Sequence, residues 1–168
     1  MLITKKTKTK DIIPFMTEEN FNKILDAVEE YPLDKPLIEM TIGEFIETLE
    51  DGYAIRFLDE KYVYKAFGKL KSYKNQMEGI NKFLEMNDVE ASEDHKKASN
   101  GVNFLTFEEN MLYKVAEFFH LKSFDEAENI KLSNYMLIHK KESSEAKFQH
   151  NWNKIIEMKN KMKNGKRR

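Results

Sequence analysis

The sequence contains no cysteine, and it has only three prolines and six glycines among its 168 residues. Without cysteine the chain has no thiolate nucleophile, no cysteine metal ligand and no disulfide, which fits a reducing compartment. So little proline and glycine argues against a sandwich or barrel with many tight turns, and it favours long helices. We therefore predict an all-α fold, an irregular helical bundle with one long helix and mobile basic termini.

Long apolar runs are also missing. No stretch approaches the roughly eighteen uninterrupted apolar residues of a membrane span, and residues 1–10 lack the apolar segment of a signal peptide. Hydrophobic residues still make up 40% of the chain, which is enough for a core. We expect a soluble protein that resides in the cytoplasm of the cell that produces it.

The chain as a whole has no excess of charge of one sign, but its two ends are strongly basic. The 28 basic and 29 acidic side chains nearly cancel, yet residues 1–10 hold four lysines and no acid, and residues 154–168 hold seven basic side chains and one glutamate. We expect these ends to contact phosphate or an acidic protein surface. The candidate contact residues are Lys5, Lys6, Lys8, Lys10, Lys161, Lys163, Lys166, Arg167 and Arg168.

This charge distribution also suggests how the chain is divided. We predict a basic N-terminal arm over residues 1–13, a single helical domain over 14–153 and a basic tail over 154–168. A polar stretch near 87–103 contains the turn-forming pair Asn100-Gly101 and is predicted to be a loop within the domain.

The longest periodic stretch runs from about residue 59 to 86. Its apolar residues alternate at spacings of three and four, which predicts one long helix with a continuous apolar seam that packs along another helix. The pattern leaves open whether that second helix belongs to this chain or to a partner. The seam residues proposed to bind it are Val63, Leu70, Tyr73, Met77, Ile80 and Leu84.

Capping residues predict where several other helices begin. Thr17 is placed to cap a helix that runs to about Tyr31. Three capping boxes predict further helix starts, because in each a hydroxyl and a glutamate three residues later satisfy one another's backbone amides. The three pairs are Thr41 with Glu44, Thr106 with Glu109, and Ser123 with Glu126.

Two segments are harder to assign. Tyr53 to Leu58 has residues typical of strands but no evident pairing partner, so we predict a loop or a minor strand. The chain beyond Ser133 reads as helical, and the pair Ser143-Ser144 is a candidate for dividing it into two helices. Phe148 and Trp152, at helical spacing, are expected to lie in the core.

Motifs for catalysis are missing. All six glycines are isolated, so no phosphate-binding glycine loop exists, and no local signature selects a nucleophile. The nearest metal motif is Glu117-x-x-His120, and one such pair is too few for a di-iron bundle. We predict no enzymatic activity, cofactor or metal; a small helical metal-dependent enzyme is an alternative that would use these two residues.

Nucleic-acid binding is the other alternative. The lysine-rich ends would supply phosphate contacts, but the chain has only three arginines, the side chain best suited to reading base edges. Binding would therefore be nonspecific and driven by the tails.

Residues 101–159 carry a resemblance. A capped amphipathic helix is followed by the bend Phe-Phe-His-Leu-Lys-Ser-Phe-Asp-Glu-Ala and by a last helix with one tryptophan and a lysine-rich end. This stretch resembles the C-terminal parts of small virion or assembly proteins of tailed bacteriophages, in particular crAss-like phages. The resemblance implies a non-enzymatic structural, cargo or assembly role, location in the virion, and partners that are other protein subunits, among them copies of the chain itself.

Overall fold

The computed structural model describes residues 4–50, 52–88, 102 and 104–165, with side chains described as far as residue 162. Helices dominate these residues, and no β-strand occurs among them, which confirms the all-α prediction. The described residues form the α-helices α1 (Glu18–Ala27), α2 (Ile42–Leu49), α3 (Val63–Met86), α4 (Phe107–Phe119), α5 (Phe124–Glu128) and α6 (Leu132–Gly165). Short 3-10 helices cover Thr9–Asp11, Ile13–Phe15, Leu37–Glu39 and Tyr53–Asp59.

The predicted helix starts are confirmed. The Thr41 hydroxyl accepts a hydrogen bond from the Glu44 amide, and the Glu44 carboxylate accepts one from the Thr41 amide. The same reciprocal pair of bonds begins α4 at Thr106. At Ser123 the hydroxyl accepts from the Glu126 amide, but the glutamate reaches one residue further back, to the amide of Lys122. Thr17 likewise caps α1.

Two short segments differ from the prediction. Helix α1 ends at Ala27 instead of running to Tyr31, because the backbone becomes extended at Val28 and the Tyr31 amide then donates to the carbonyl of Gly68 in α3. Residues Tyr53–Asp59 form a 3-10 helix and not a strand, and it follows Gly52, whose positive φ of 96° makes the preceding turn.

Helix α6 is continuous across Ser143-Ser144, so the suggested division there is wrong. Ser144 does not cap a new helix, because its hydroxyl donates to the Lys140 carbonyl one turn earlier at 2.8 Å. Ser143 is buried against the body. No proline occurs within Leu132–Gly165 and its one glycine is the last residue, so nothing in the sequence interrupts the helix.

The core forms two clusters that meet along α3. One cluster gathers α2, α4 and the first turns of α6 around Phe45, Met111 and Leu132, and the other gathers α1 and the first half of α3 around Phe67. Tyr73 packs against both clusters, and its hydroxyl donates to the Thr48 carbonyl at 2.6 Å. Helix α3 therefore holds the two halves of the body together.

The seam of the predicted long helix lies in this core. Val63 and Leu70 are buried in the second cluster and Ile80 in the first, while Tyr73, Met77 and Leu84 are half-buried and pack inward. The pattern left open whether the second helix belongs to this chain or to a partner, and the structure corrects the use of these six residues as a partner-binding surface: the seam packs on the 3-10 helix Tyr53–Asp59, on α1 and on α6 of the same chain. The helix begins at Val63, four residues later than predicted.

The basic N-terminal arm is also placed differently from the prediction. Residues 4–12 pack on the start of α3: the Thr9 amide donates to the Lys61 carbonyl and the Val63 amide to the Thr7 carbonyl. Thr9 and Ile12 are buried, each with 2% of its surface exposed. Burial of these two residues fixes the arm to the body over this range, in contrast to the expected mobile segment. The predicted loop near 87–103 lies almost entirely outside the described residues.

Candidate protein-interaction surface

Helix α6 has two halves with different surroundings. From Leu132 to Ser143 its inward side chains, among them Tyr135 and Ile138, are buried in the core. From Ser144 to Met162 every residue is exposed. At 1.5 Å per residue this second part, which we call the projecting half of α6, is about 28 Å long. Because the rest of the described chain covers none of its sides, the surface of the projecting half is available to another molecule.

The projecting half carries an apolar stripe along one side. We use that name for Phe148, Trp152, Ile155 and Met162, whose spacings of four, three and seven residues place them on a common face. Their exposed fractions are 68, 46, 44 and 68%. The rings of Phe148 and Trp152 stack with centroids 6.5 Å apart and planes inclined by 11°. Large apolar side chains grouped in this way on a surface are typical of binding sites.

Charges beside the apolar stripe are mostly positive. The projecting half has four lysines and two glutamates among its described side chains: Lys147, Lys154, Lys159 and Lys161, with Glu145 and Glu157. The Lys147 ammonium donates to the Met86 carbonyl at the end of α3, at 3.2 Å, and so marks where the helix leaves the body. The sequence adds Lys163, Lys166, Arg167 and Arg168 at the far end. A complementary surface would be apolar with an acidic margin.

The expectation that Phe148 and Trp152 are core residues is wrong. Their spacing is typical of a buried stripe, but their neighbours in the sequence, residues 149–151 and 153–154, are all polar. Ile156 and Met158 flank the stripe and are exposed as well. The high content of lysine and asparagine after Ser143 was the signal that could have identified an exposed helix.

The candidate charge contacts fall into two groups. Lys5, Lys6, Lys8 and Lys10 are exposed on the docked arm, and Lys161 is exposed near the end of the projecting half. The side chain of Lys163 and all of Lys166, Arg167 and Arg168 lie outside the described residues. The structure therefore brings the first four together on the body, well separated along the chain from the others.

The Glu117-x-x-His120 pair does not form a metal site. His120 lies just past the end of α4 with a positive φ of 54°, so it does not share the helical face of Glu117, and both residues are exposed. Among the described residues, no group of three or more histidine, aspartate or glutamate side chains is arranged to hold a metal ion. The pairing of these two residues on one face, expected from the spacing, is corrected.

Comparisons with known proteins do not add to this geometry: no protein-family model, no curated protein and no solved structure matches the chain. None of the described helices has the length and apolar character required to cross a membrane. Within the part of the chain that the structure describes, the projecting half of α6 is the longest run of exposed residues.

Proposed function

We propose that this protein is a non-enzymatic interaction component whose projecting half of α6 docks on another protein subunit. The observation that carries the proposal is that every residue from 144 to 162 is exposed in a helix whose apolar stripe is interrupted by Lys159 alone. An amphipathic helix that lays such a stripe into an apolar groove is a common mode of recognition, and tryptophan is prominent among the residues that dominate such contacts.

The positive charge of the projecting half indicates that its partner has an acidic surface. The lysines beside the apolar stripe outnumber the glutamates, so the groove that receives it is expected to carry carboxylates on its margin. Acidic margins raise the rate of association and select the orientation of the helix more than they raise affinity. The partner is therefore an acidic protein surface with an apolar groove about as long as the stripe.

The free energy gained by burying the apolar stripe can be compared with the free-energy cost of association. Full burial of one large apolar side chain is worth about 1.5–3 kcal/mol, and association in solution costs about 4–15 kcal/mol. Four anchor residues alone would give a weak contact, so charge complementarity or repetition of the contact must add to it. Repetition is what a virion or an assembly intermediate provides, and the resemblance of residues 101–159 to bacteriophage assembly proteins makes that setting our preferred one.

The test compares three full-length chains. In the first variant Phe148→Asp and Trp152→Asp place charge on the apolar stripe. In the control Gln149→Asp and Asn153→Asp add the same charge to another side of the helix, where these two side chains are hydrogen-bonded to each other at 2.9 Å. Circular dichroism checks that all three chains keep their helical content.

The measurement is the mass of the complexes recovered under gentle conditions from the cells that produce the protein. We expect the natural chain and the control to be found in complexes well above the chain's own 20.0 kDa, and the stripe variant near that value. Equal masses for the natural chain and the stripe variant would show that the apolar stripe is not the interaction surface.

A further inference from the structure

A second surface forms where the N-terminal arm meets the start of α3. The arm runs antiparallel to residues 61–63, with the Thr9 amide bound to the Lys61 carbonyl at 3.1 Å and the Val63 amide to the Thr7 carbonyl at 3.0 Å. The Thr9 hydroxyl also donates to the Glu60 carbonyl. These bonds place Lys8 and Lys10 of the arm beside Lys61, which lies just before α3.

A groove of about 450 Å³ lies between the two segments. Lys8, Lys10 and Lys61 line it together with Asp59 and Glu60. The Glu60 carboxylate is bound to Lys69 at 2.5 Å, which leaves Asp59 as the carboxylate opposite three lysines. Within the described residues, none of these three lysines forms a salt bridge. The groove therefore has an excess of positive charge suited to a phosphate group.

Tyrosine rings continue the surface from this groove. The Tyr62 and Tyr64 rings stack with centroids 6.1 Å apart, and Tyr31 meets Tyr64 edge-on at 6.1 Å. The Lys61 ammonium lies 5.3 Å from the centre of the Tyr62 ring, and Lys65 lies 5.4 Å from that of Tyr31. All three rings are only half-buried, so each has an exposed part.

Beside these rings is a second groove, again of about 450 Å³, which Lys5, Tyr31 and Tyr64 line together with Glu29 and Glu30. Glu30 accepts a hydrogen bond from Asn75. The two glutamates lie at one end of the surface and limit its positive field. Binding of an anionic polymer here is therefore expected to be modest and to fall when salt is added.

We infer that this arm surface, formed by Lys5, Lys8, Lys10, Lys61 and Lys65 with Tyr31, Tyr62 and Tyr64, binds single-stranded nucleic acid. Lysines along a groove hold the phosphates, and tyrosine rings between them offer faces on which bases stack. The row of rings favours a nucleic acid, because the flat faces of bases stack on aromatic side chains. The surface contains no arginine, the side chain best suited to reading base edges, so we expect little preference for base sequence.

The lysine-rich ends were expected from composition to contact phosphate or an acidic surface, and Lys61, Lys65 and the three tyrosines were not among the candidate contacts. Only the docking of the arm joins them. The inference is independent of the proposed function of α6, which lies elsewhere on the chain.

The test measures binding of a fluorescent single-stranded oligothymidine, about twenty nucleotides long, by anisotropy as salt is raised. For single strands each phosphate contact adds about −0.7 to the slope of log K against log salt, so five lysines predict a slope of about −3.5. The variant Lys8→Glu with Lys61→Glu should weaken binding at least tenfold at low salt and reduce the slope by about 1.4.

A matched control separates this surface from general charge effects. Lys82→Glu with Lys122→Glu makes the same change in net charge at two exposed lysines on other parts of the body. We expect the control to bind like the natural chain. An equal loss in both variants would show a general effect of net charge, and no loss in either would place any binding on the C-terminal lysines; each of these results would overturn the assignment.

The rings are tested with Tyr62→Leu and Tyr64→Leu, which keep apolar volume but remove the stacking faces. This variant should bind the oligonucleotide about fivefold less tightly or worse, with an unchanged affinity for inorganic polyphosphate. If both ligands are bound as before, the nucleic-acid assignment is overturned and the surface is a simple polyanion site. Circular dichroism confirms that each variant is folded.

Discussion

The Tyr31 amide donates a hydrogen bond to the Gly68 carbonyl at 3.0 Å, and a Cβ atom at Gly68 would lie only 2.6 Å from the Cβ of Tyr31. The chain after α1 therefore crosses α3 in direct backbone contact. Such a short approach is possible only because residue 68 has no side chain.

Replacement of this glycine is expected to destabilise the fold. In Gly68→Ala the new methyl group would collide with Tyr31 and with the Glu29 carbonyl, which is 2.9 Å from the Cβ position. Overpacking of this kind costs about 1–3 kcal/mol, which exceeds the gain of about 1 kcal/mol in helix propensity. Urea unfolding gives the change directly.

Gly79 in the same helix provides the control. A Cβ atom there would meet nothing within 4 Å. Gly79→Ala should therefore stabilise the protein by about 0.5–1 kcal/mol through helix propensity alone. If both substitutions change the free energy of unfolding in the same direction, the close crossing at Gly68 is not present in solution.

A second prediction concerns the seam of α3. Leu70 is buried with 2% of its surface exposed, whereas Leu137 in α6 is 65% exposed. Leu70→Ala should lower the free energy of unfolding by about 2–5 kcal/mol, and Leu137→Ala by less than about 1 kcal/mol. Both residues are helical leucines, so propensity effects are the same and the difference reports burial alone.

The mass of the purified protein completes this test. Because the seam packs within one chain, variants that stay folded should have the same mass by light scattering as the natural protein. A change of mass in Leu70→Ala without a loss of stability would return the seam to the role of a surface between chains.

The third prediction is a dependence on pH. Burial, followed by the charges of Glu142 and Asp88, raises the pKa of Tyr135 to about 12 from its ordinary value of 10.0. The native state therefore holds this proton more tightly than the unfolded chain does. The resulting stabilisation is complete below about pH 10 and is lost as the pH rises toward about 12.

Tyr135→Phe removes the titration and keeps the ring. Relative to its value near pH 8, the stability of the variant should gain roughly 1 kcal/mol on the natural chain by about pH 11. Urea unfolding at the two pH values measures this change, and Tyr113→Phe, at an exposed tyrosine, is the control. A difference in stability that stays constant with pH would mean that Tyr135 is not held in an apolar environment.

Local signals in the sequence predicted the helix starts well. Thr17, Thr41, Thr106 and Ser123 all cap helices, because a cap depends on residues only three positions apart. The end of α1 was not predictable in the same way. It is fixed by a hydrogen bond from Tyr31 to Gly68, a residue distant in the sequence, and no local pattern records that contact.

The candidate surfaces were the hardest part to predict. The periodicity of α3 and that of the apolar stripe look alike, and periodicity identifies an apolar face without saying what covers it. The α3 seam turned out to be covered and the stripe around Trp152 exposed. The lysines of the arm were recognised from composition, but their alignment with Lys61 depends on the burial of Thr9 and Ile12, two residues that carry no charge.

The continuity of α6 has a consequence for how its exposed part stays helical. An isolated helix must first form a costly nucleus, but here the packed turns from Leu132 to Ser143 already provide one, and each later residue only extends it. Helical order should therefore decrease gradually with distance from the body. Phe148 and Trp152, which lie nearest the body, should be the most persistently helical members of the apolar stripe. A partner would therefore bind these two preordered residues first, and the helix would become ordered toward Met162 as binding proceeds.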